Sequence, residues 1–343
     1  MNVKELPPEI RAEIDPELAK PTRVHPIARS QYANLWIKRE DELSSGISGG
    51  KLRKYASLIP YLKRQQIDTV GMIGGPNSNN LVGLAQLLRE NGISPLAFLR
   101  EAADPQLRGN ALLLALLLAP HETETISRRS WDNVEGLARQ RLQNLEKQGS
   151  RAHLLLEGCY GFPALLGTLT LPEDILRNER DCQQTFPRIY IDCGTGLSAI
   201  GLILGLERLL GSDSRNREVV VTLIAETESG FLEKLAEMRA CLEKAYPITH
   251  DSRVNIRFLQ PNLSPKFGSI SKALFDECRT IARETGLIMD PTYSVKHFAA
   301  AAADHNKDGQ SAAPSLFVFN GSALGICGFQ DKLANSVNLL ESD

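Results

Sequence analysis

A short apolar run that ends in a glycine-rich turn and leads into a helix-like stretch recurs along the chain. It occurs at residues 68–80, 153–161, 189–199 and 315–322. The runs do not alternate apolar with polar residues, which is typical of strands buried on both faces of a parallel sheet. Since helix-like stretches separate them, the pattern predicts an α/β fold with mostly parallel sheets. In such folds the turns that follow the strands carry the ligand sites.

The length of 343 residues predicts two domains, at roughly 100–200 residues per domain. A charged stretch at residues 128–151 is interpreted as a solvated helix between the two halves, with a boundary near residue 155. We expect the first part of the chain to return to the C-terminal half. The predicted division is a smaller α/β domain over residues 46–155 and a larger one formed by residues 1–45 and 156–343.

Charge and composition exclude several classes of partner. The net charge of -2 gives no basic surface for a nucleic acid. The longest apolar run, residues 111–119, is shorter than the roughly 20 residues that span a bilayer, so we expect a buried helix there. Six cysteines without CxxC spacing and six histidines without ligand spacing indicate reduced thiols and no metal site. We therefore expect a cytoplasmic protein without nucleic-acid or membrane partners.

A polar, glycine-rich loop at residues 44–50 (SSGISGG) precedes Lys51 at a predicted helix start. A lysine forms a Schiff base only when its amine is deprotonated, which burial or the nearby cations Arg53 and Lys54 favour. On this motif alone, a surface helix with solvated lysines is the better interpretation. A phosphate-binding P-loop is excluded because Leu52 follows the lysine.

The turn at residues 193–199 (CGTGLSA) lies between a predicted strand and a predicted helix. Its backbone N–H groups and the hydroxyls of Thr195 and Ser198 suit an anion such as phosphate. The partial match to GxGxxA leaves NAD binding open, although Glu226 lies further along than a dinucleotide site requires. Simple turn geometry is the third interpretation.

Two further motifs are ambiguous by themselves. Residues 74–80 (GGPNSNN) offer amides and a hydroxyl to a carboxylate or a ring hydroxyl, but they also fit a capped helix start. Residues 290–297 (DPTYSVKH) contain Tyr293, which either exchanges protons or packs in the core.

Taken in order, the four motifs resemble the ACC deaminase/D-cysteine desulfhydrase family of pyridoxal-phosphate (PLP) enzymes. The resemblance begins at residues 35–41 (LWIKRED) and ends near residue 329, so it covers most of the chain. It implies the tryptophan synthase β-like fold (PLP fold type II), built from two open three-layer α/β/α domains. It also implies PLP as the cofactor, a small amino acid as the substrate and a homodimer.

The resemblance implies a role for each motif. Lys51 would hold PLP as a Schiff base and move the proton at the substrate α-carbon. Ser78 and the Asn79–Asn80 amides would hold the substrate carboxylate, with Ser78 also a candidate for proton transfer, and Tyr293 would face the substrate. The remaining cofactor contacts would come from Asn79 at the 3-hydroxyl, Ser294 at the pyridine nitrogen, and Lys54, Gly194, Thr195, Gly196, Leu197 and Ser198 around the phosphate.

The chain departs from the family pattern at positions that bear on the substrate. Gly50 stands where an asparagine usually precedes the lysine, and Leu81 and Val82 replace polar residues. Phe267 stands where ACC deaminases have a tyrosine, and Ser294 where they have a glutamate. A neutral hydroxyl is not expected to keep the pyridine nitrogen protonated as a carboxylate does.

These departures favour α,β-elimination over opening of the ACC ring. We therefore predict a PLP-dependent lyase or deaminase that acts on a small β-substituted amino acid, D-cysteine being the leading candidate. The products would be a 2-oxo acid and ammonia. ACC deamination and a catalytically degenerate protein that binds PLP or an amino acid are the alternatives.

Overall fold

The protein is described from a computed structural model, which covers residues 5–44, 48–102, 106–248, 252–309, 313–321 and 323–338. Its strands are β1 (Val24–Pro26), β2 (Leu35–Lys38), β3 (Thr69–Gly74), β4 (Ser94–Arg100), β5 (Thr123–Ile126), β6 (Ala152–Leu155), β7 (Arg188–Cys193), β8 (Glu218–Leu223), β9 (Asn255–Leu259) and β10 (Ser315–Val318). Its α-helices are α1 (Pro8–Arg11), α2 (Leu52–Arg64), α3 (Asn79–Glu90), α4 (Asn110–Leu117), α5 (Val134–Glu146), α6 (Phe162–Thr168), α7 (Thr170–Cys182), α8 (Leu197–Leu210), α9 (Glu228–Ala245), α10 (Lys272–Thr285), α11 (Ser294–His305) and α12 (Gln330–Asn338).

Two sheets organise these elements, and the predicted α/β class is confirmed. The smaller sheet has the strand order β5-β4-β3-β6, and all of its pairs are parallel. The larger sheet has the order β1-β2-β10-β7-β8-β9, in which β1 pairs antiparallel and the other strands run parallel. The strands β8 and β10 are buried almost throughout, which explains their non-alternating sequences.

The N-terminal segment belongs to the larger sheet, because β2 lies between β1 and β10. The smaller sheet is contiguous in sequence, from β3 to β6. The exact domain boundaries stay a prediction, and residue 46 lies outside the described ranges.

The sequence expectations for two helices need correction. The charged stretch at residues 128–151 contains α5, which is mostly exposed as expected. However, α5 packs on the smaller sheet, with Ala138 and Leu142 buried beside Phe98. The apolar helix α4 is not fully buried, because one face packs inward through Leu114 while Leu112 and Leu116 are exposed. Periodicity identified the helices but not which face meets a partner.

A buried ionic cluster (Lys38, Glu40, Arg53 and Asp174) joins β2, α2 and α7. The Arg53 guanidinium donates to Glu40 at 2.5 Å and to Asp174 at 2.8 Å, and the Lys38 ammonium donates to Asp174 at 2.5 Å. All four side chains are 4% exposed or less. The cluster fixes the start of α2, and therefore Lys51, against the larger sheet.

Candidate active site

Lys51 ends a short 3₁₀ turn and directly precedes α2. The preceding Gly49 has φ +53°, and a Cβ there would lie 2.3 Å from the carbonyl oxygen of Gly321, so this approach requires glycine. The Lys51 side chain is half-buried, and no residue in the described ranges pairs with its amine. An amine in this position is available to a ligand. Residues 45–47 of the predicted loop lie outside the described part of the chain.

Lys54 lies one helical turn after Lys51 and is buried at 4% exposure. Its ammonium donates to the carbonyl oxygen of Gly158 at 3.1 Å. Burial and, second, the charge of Lys51 lower the pKa of Lys54 to about 8. Among the described residues no carboxylate is in hydrogen-bond contact with this buried cation, and such a cation suits an anionic group.

The loop after β7 meets the loop after β6 beside Lys54. Gly196 has φ +99° and caps the 14-residue helix α8, so the first N–H groups of that helix lie at this loop. A Cβ on Gly158 would lie only 2.1 Å from the Thr195 hydroxyl oxygen. The Thr195 hydroxyl, the start of α8 and Lys54 therefore lie around the same turn, as a phosphate site requires.

The Asn-rich turn serves both as a helix cap and as part of the site. The Ser78 hydroxyl accepts from the N–H of Leu81 at 3.3 Å, which makes Ser78 the N-cap of α3. It accepts there, so its own proton remains available for donation. Capping and ligand binding are therefore compatible at this residue.

The Asn80 side chain is held by contacts within the protein. Its amide nitrogen donates to the Cys159 sulfur at 3.2 Å, and its oxygen accepts from the Tyr55 hydroxyl at 3.1 Å. Only the backbone N–H of Asn80 is left for a substrate. The Asn79 oxygen accepts from the side-chain amide of Asn110 on α4, a residue that the sequence did not single out.

Tyr293 lies at the start of α11 against the loop after β7. A Cβ on Gly194 would lie 3.3 Å from its ring, and burial, followed by the charges of Asp290 and Asp192, raises its pKa. The Phe267 ring lies 5.9 Å from the Tyr293 ring, centroid to centroid, and is 51% exposed. An apolar, half-exposed ring thus borders Tyr293.

Ser294 donates its hydroxyl proton to the Asp290 carboxylate at 2.6 Å, and both residues are buried. A Cβ on Gly321 would lie 2.5 Å from the Ser294 oxygen, so only glycine allows the backbone to approach this hydroxyl so closely. Sequence reasoning did not assign Asp290 a role. Its position four residues before Ser294, at a helix start, was the signal available.

The sequence also did not reveal that the loop after β10 contacts Gly50, the residue before Lys51. The Asn320 side chain donates to Asp192 at 2.8 Å, and its carbonyl oxygen accepts from the N–H of Gly50 at 3.3 Å. Gly325 links two other motifs, because a Cβ there would lie 3.1 Å from the Asp290 Cβ and 3.9 Å from the Asn79 oxygen.

Contacts therefore join all four sequence motifs at one place, beyond the carboxyl ends of strands from both sheets. The glycines of the site let backbone segments approach one another closely, and the site holds a buried cation and an amine without a partner among the described residues. These features fit a flat, phosphorylated ring. Glu226 forms an ion pair with Lys234, which disfavours its use for the ribose of NAD. The roles of the individual residues stay predictions.

Comparison with known proteins identifies relatives along most of the chain. A bifunctional D-cysteine desulfhydrase/1-aminocyclopropane-1-carboxylate deaminase of Arabidopsis thaliana is 26% identical over 313 residues, which are 88% of this chain and 75% of that protein. A D-cysteine desulfhydrase of Serratia proteamaculans is 25% identical over 309 residues, 87% and 89% of the two chains. The predicted resemblance to the ACC deaminase/D-cysteine desulfhydrase family is confirmed.

No family model matches the chain. A solved structure described as an ACC deaminase homologue superposes with a TM-score of 0.76 at 23% identity, and it covers 96% of this chain and 100% of that one. Together with other solved neighbours, it confirms the tryptophan synthase β-like fold predicted from the ACC deaminase/D-cysteine desulfhydrase motifs.

Proposed function

We propose that the protein is a PLP-dependent lyase that eliminates the β-substituent of a small amino acid, as a D-cysteine desulfhydrase does. One observation carries the proposal: the free Lys51 amine lies in the same glycine-lined site as Lys54 and the start of α8. The relatives named as D-cysteine desulfhydrases and ACC deaminases support it. The products would be a 2-oxo acid and ammonia.

Bound PLP supplies an electron sink for the charge that develops at the substrate α-carbon. Lys51 would hold the cofactor and take the α-proton, and the β-substituent would leave with its bonding electrons. Ser78 donates to the substrate carboxylate while it caps α3, and the backbone N–H groups of Asn79 and Asn80 complete this contact. Tyr293 faces the substrate.

The other predicted contacts hold the cofactor. Lys54 and the segment from Gly194 to Ser198 would hold the phosphate, Asn79 would bind the 3-hydroxyl and Ser294 would meet the pyridine nitrogen. Asn79 is oriented by Asn110, which donates to its oxygen.

The central test is the attachment of PLP to Lys51. We expect the purified, PLP-loaded protein to absorb visible light and to retain the cofactor covalently after borohydride reduction, with the label mapped to Lys51 by mass spectrometry. Lys51→Ala should lose the label, and its turnover rate should fall at least a thousandfold. Lys63→Ala, which changes an exposed lysine on the helix that follows Lys51, is the matched control. A label on another lysine, or turnover by Lys51→Ala, contradicts the proposal.

A substrate panel separates elimination from its two alternatives. Release of a 2-oxo acid and sulfide from D-cysteine supports elimination, whereas ammonia release from ACC supports ring opening. Phe267 favours the first, since its phenyl ring offers no hydroxyl beside Tyr293. Bound PLP with no release from any D- or L-amino acid would instead identify a degenerate binding protein.

The proposal also covers the location, the oligomeric state and the domain boundaries of the protein. Within the described residues, no helix is both long and apolar enough to cross a bilayer. We propose a cytoplasmic homodimer with domains of residues 46–155 and residues 1–45 plus 156–343. The exposed Leu112 and Leu116 of α4 are consistent with a subunit contact, and the mass in solution tests the oligomeric state.

A further inference from the structure

The loop of residues 260–271 joins β9 to α10 and carries Phe267 in an exposed turn. The turn is closed at the carbonyl oxygen of Lys266, which accepts from the N–H of Ser269 at 3.1 Å and from the Ser269 hydroxyl at 2.6 Å. Phe267 is the next residue, and its ring lies 5.9 Å from the Tyr293 ring, centroid to centroid. The place of the Phe267 ring therefore depends on how the Lys266 carbonyl is held.

Lys296 on α11 supplies a further donor to the same carbonyl oxygen. Its ammonium donates to the Lys266 oxygen at 3.1 Å, and the residue is fully buried. Within the described ranges no carboxylate forms an ion pair with this ammonium. Burial lowers the pKa of Lys296, and the charge of Asp290 acts in the opposite direction. Burial of an ammonium is costly without an ion pair, and the contact made in return is with the loop.

The same helical turn carries Tyr293 and Lys296. Tyr293 is the N-cap of α11, and Lys296 follows three positions later, so the two residues lie on one side of the helix start. The Phe267 side chain is 51% exposed, so packing around its ring is limited. The hydrogen bond from Lys296 thus ties the loop to the helix turn from which Tyr293 extends.

We propose that Lys296 is a positioning residue that holds the loop of residues 260–271 so that Phe267 lies against Tyr293. Through this contact Lys296 limits the size of the β-substituent that the site accepts. The effect on the substrate rests on the proposed function, in which Tyr293 faces the substrate. The hold on the loop does not depend on the cofactor.

Limited proteolysis of the PLP-loaded protein with trypsin measures the hold on the loop. Lys266 is an exposed cleavage site, and its scissile carbonyl is the acceptor for Lys296. The protease must bind that carbonyl oxygen in its own oxyanion hole, which requires the loop to open. Because a hydrogen bond from a charged donor is lost, cleavage after Lys266 should be at least about tenfold faster in Lys296→Met.

Three further variants control this measurement. Lys307→Met, at an exposed lysine in the turn after α11, should be cleaved after Lys266 as slowly as the wild type. Lys296→Arg keeps a charged donor and should restore slow cleavage. Lys296→Gln has a shorter, neutral side chain and takes the place of Lys296→Met if that variant does not fold. Urea unfolding of each variant separates opening of the loop from a loss of overall stability.

The effect on the substrate is read from kcat/KM for D-cysteine and for its bulkier S-benzyl derivative. Lys296→Met should shift the ratio of the two values about tenfold toward the bulkier compound, mainly through KM. Phe267→Ala, at a half-exposed position, should shift it in the same direction. The double variant should show no larger shift than Phe267→Ala alone, because both residues act through one contact.

An unchanged rate of cleavage after Lys266 in Lys296→Met, or additive shifts in the double variant, overturns the inference. Those results leave the Schiff base on Lys51 untouched. Absence of the borohydride label on Lys51 would instead overturn the proposed function and, with it, the effect on substrate size, while the trypsin result would still stand for the loop.

Discussion

At the scale of single residues, Lys54 offers a pH-dependent signature. Its pKa in the folded protein is lowered to about 8, mainly by burial, while an unfolded chain returns it to about 10.4. Between these values the unfolded state binds more protons, so stability should rise with pH, by up to about 3 kcal/mol. Below pH 8 both states hold the proton and the slope vanishes.

Urea unfolding of the cofactor-free protein at several pH values measures this effect. Lys54→Met should flatten the rise between pH 8 and 10, while Lys63→Met on the exposed side of the same helix should keep it. Parallel profiles for wild type and Lys54→Met would show that the buried amine is not the cause.

The sequence identified which residues carry the chemistry better than it identified their partners. Lys51, Ser78 and Ser294 stand in recognisable motifs. The contacts that surround these residues often join distant segments. Asp192 and Asn320, for example, are 128 positions apart, and no local pattern predicts their hydrogen bond. The Asn80 side chain was assignable only after Tyr55 and Cys159 were placed around it.

At the scale of elements, the position of α2 against α6 depends on one glycine. A Cβ on Gly167 would lie 1.9 Å from the carbonyl oxygen of Arg53, a backbone atom that cannot move alone. Gly167→Ala should therefore push the helices apart and cost about 1–3 kcal/mol of unfolding free energy. Because α2 carries Lys54 and directly follows Lys51, the same shift should weaken PLP binding.

Chemical denaturation compares Gly167→Ala with Gly75→Ala, where a Cβ would meet nothing within 4 Å. The control should change stability by less than about 0.5 kcal/mol. Equal unfolding free energies for the two variants would show that the contact between α2 and α6 can accommodate a methyl group. Element types were predictable from periodicity, whereas this approach was not, since Gly167 stands in an ordinary apolar helix sequence.

At the scale of the whole molecule, the buried ionic cluster connects segments far apart in sequence. Asp174 accepts from both Lys38 and Arg53. Removal of one partner leaves buried charge uncompensated, which typically costs 3–5 kcal/mol. We expect Asp174→Ala to lower the unfolding free energy by about that amount.

Thermal and urea unfolding check this prediction against an exposed pair. Glu135→Ala, which breaks the surface pair with Arg139 on α5, should cost less than about 0.5 kcal/mol. A small loss for Asp174→Ala would indicate that water reaches the cluster. The sequence predicted that the N-terminal segment joins the C-terminal half, but not that charges hold it there.

The place of β2 beside β10 also governs the order in which the molecule can be made. The smaller sheet uses a contiguous stretch of chain, so it can close while synthesis continues. Strand β2, which precedes the lysine loop, can pair with β10 only after β10 has been synthesised. Likewise, Gly50 gains its hydrogen-bond partner only when Asn320 has emerged from the ribosome. A nascent or truncated chain therefore exposes Lys51 without an assembled site, and cofactor loading becomes a property of the finished polypeptide.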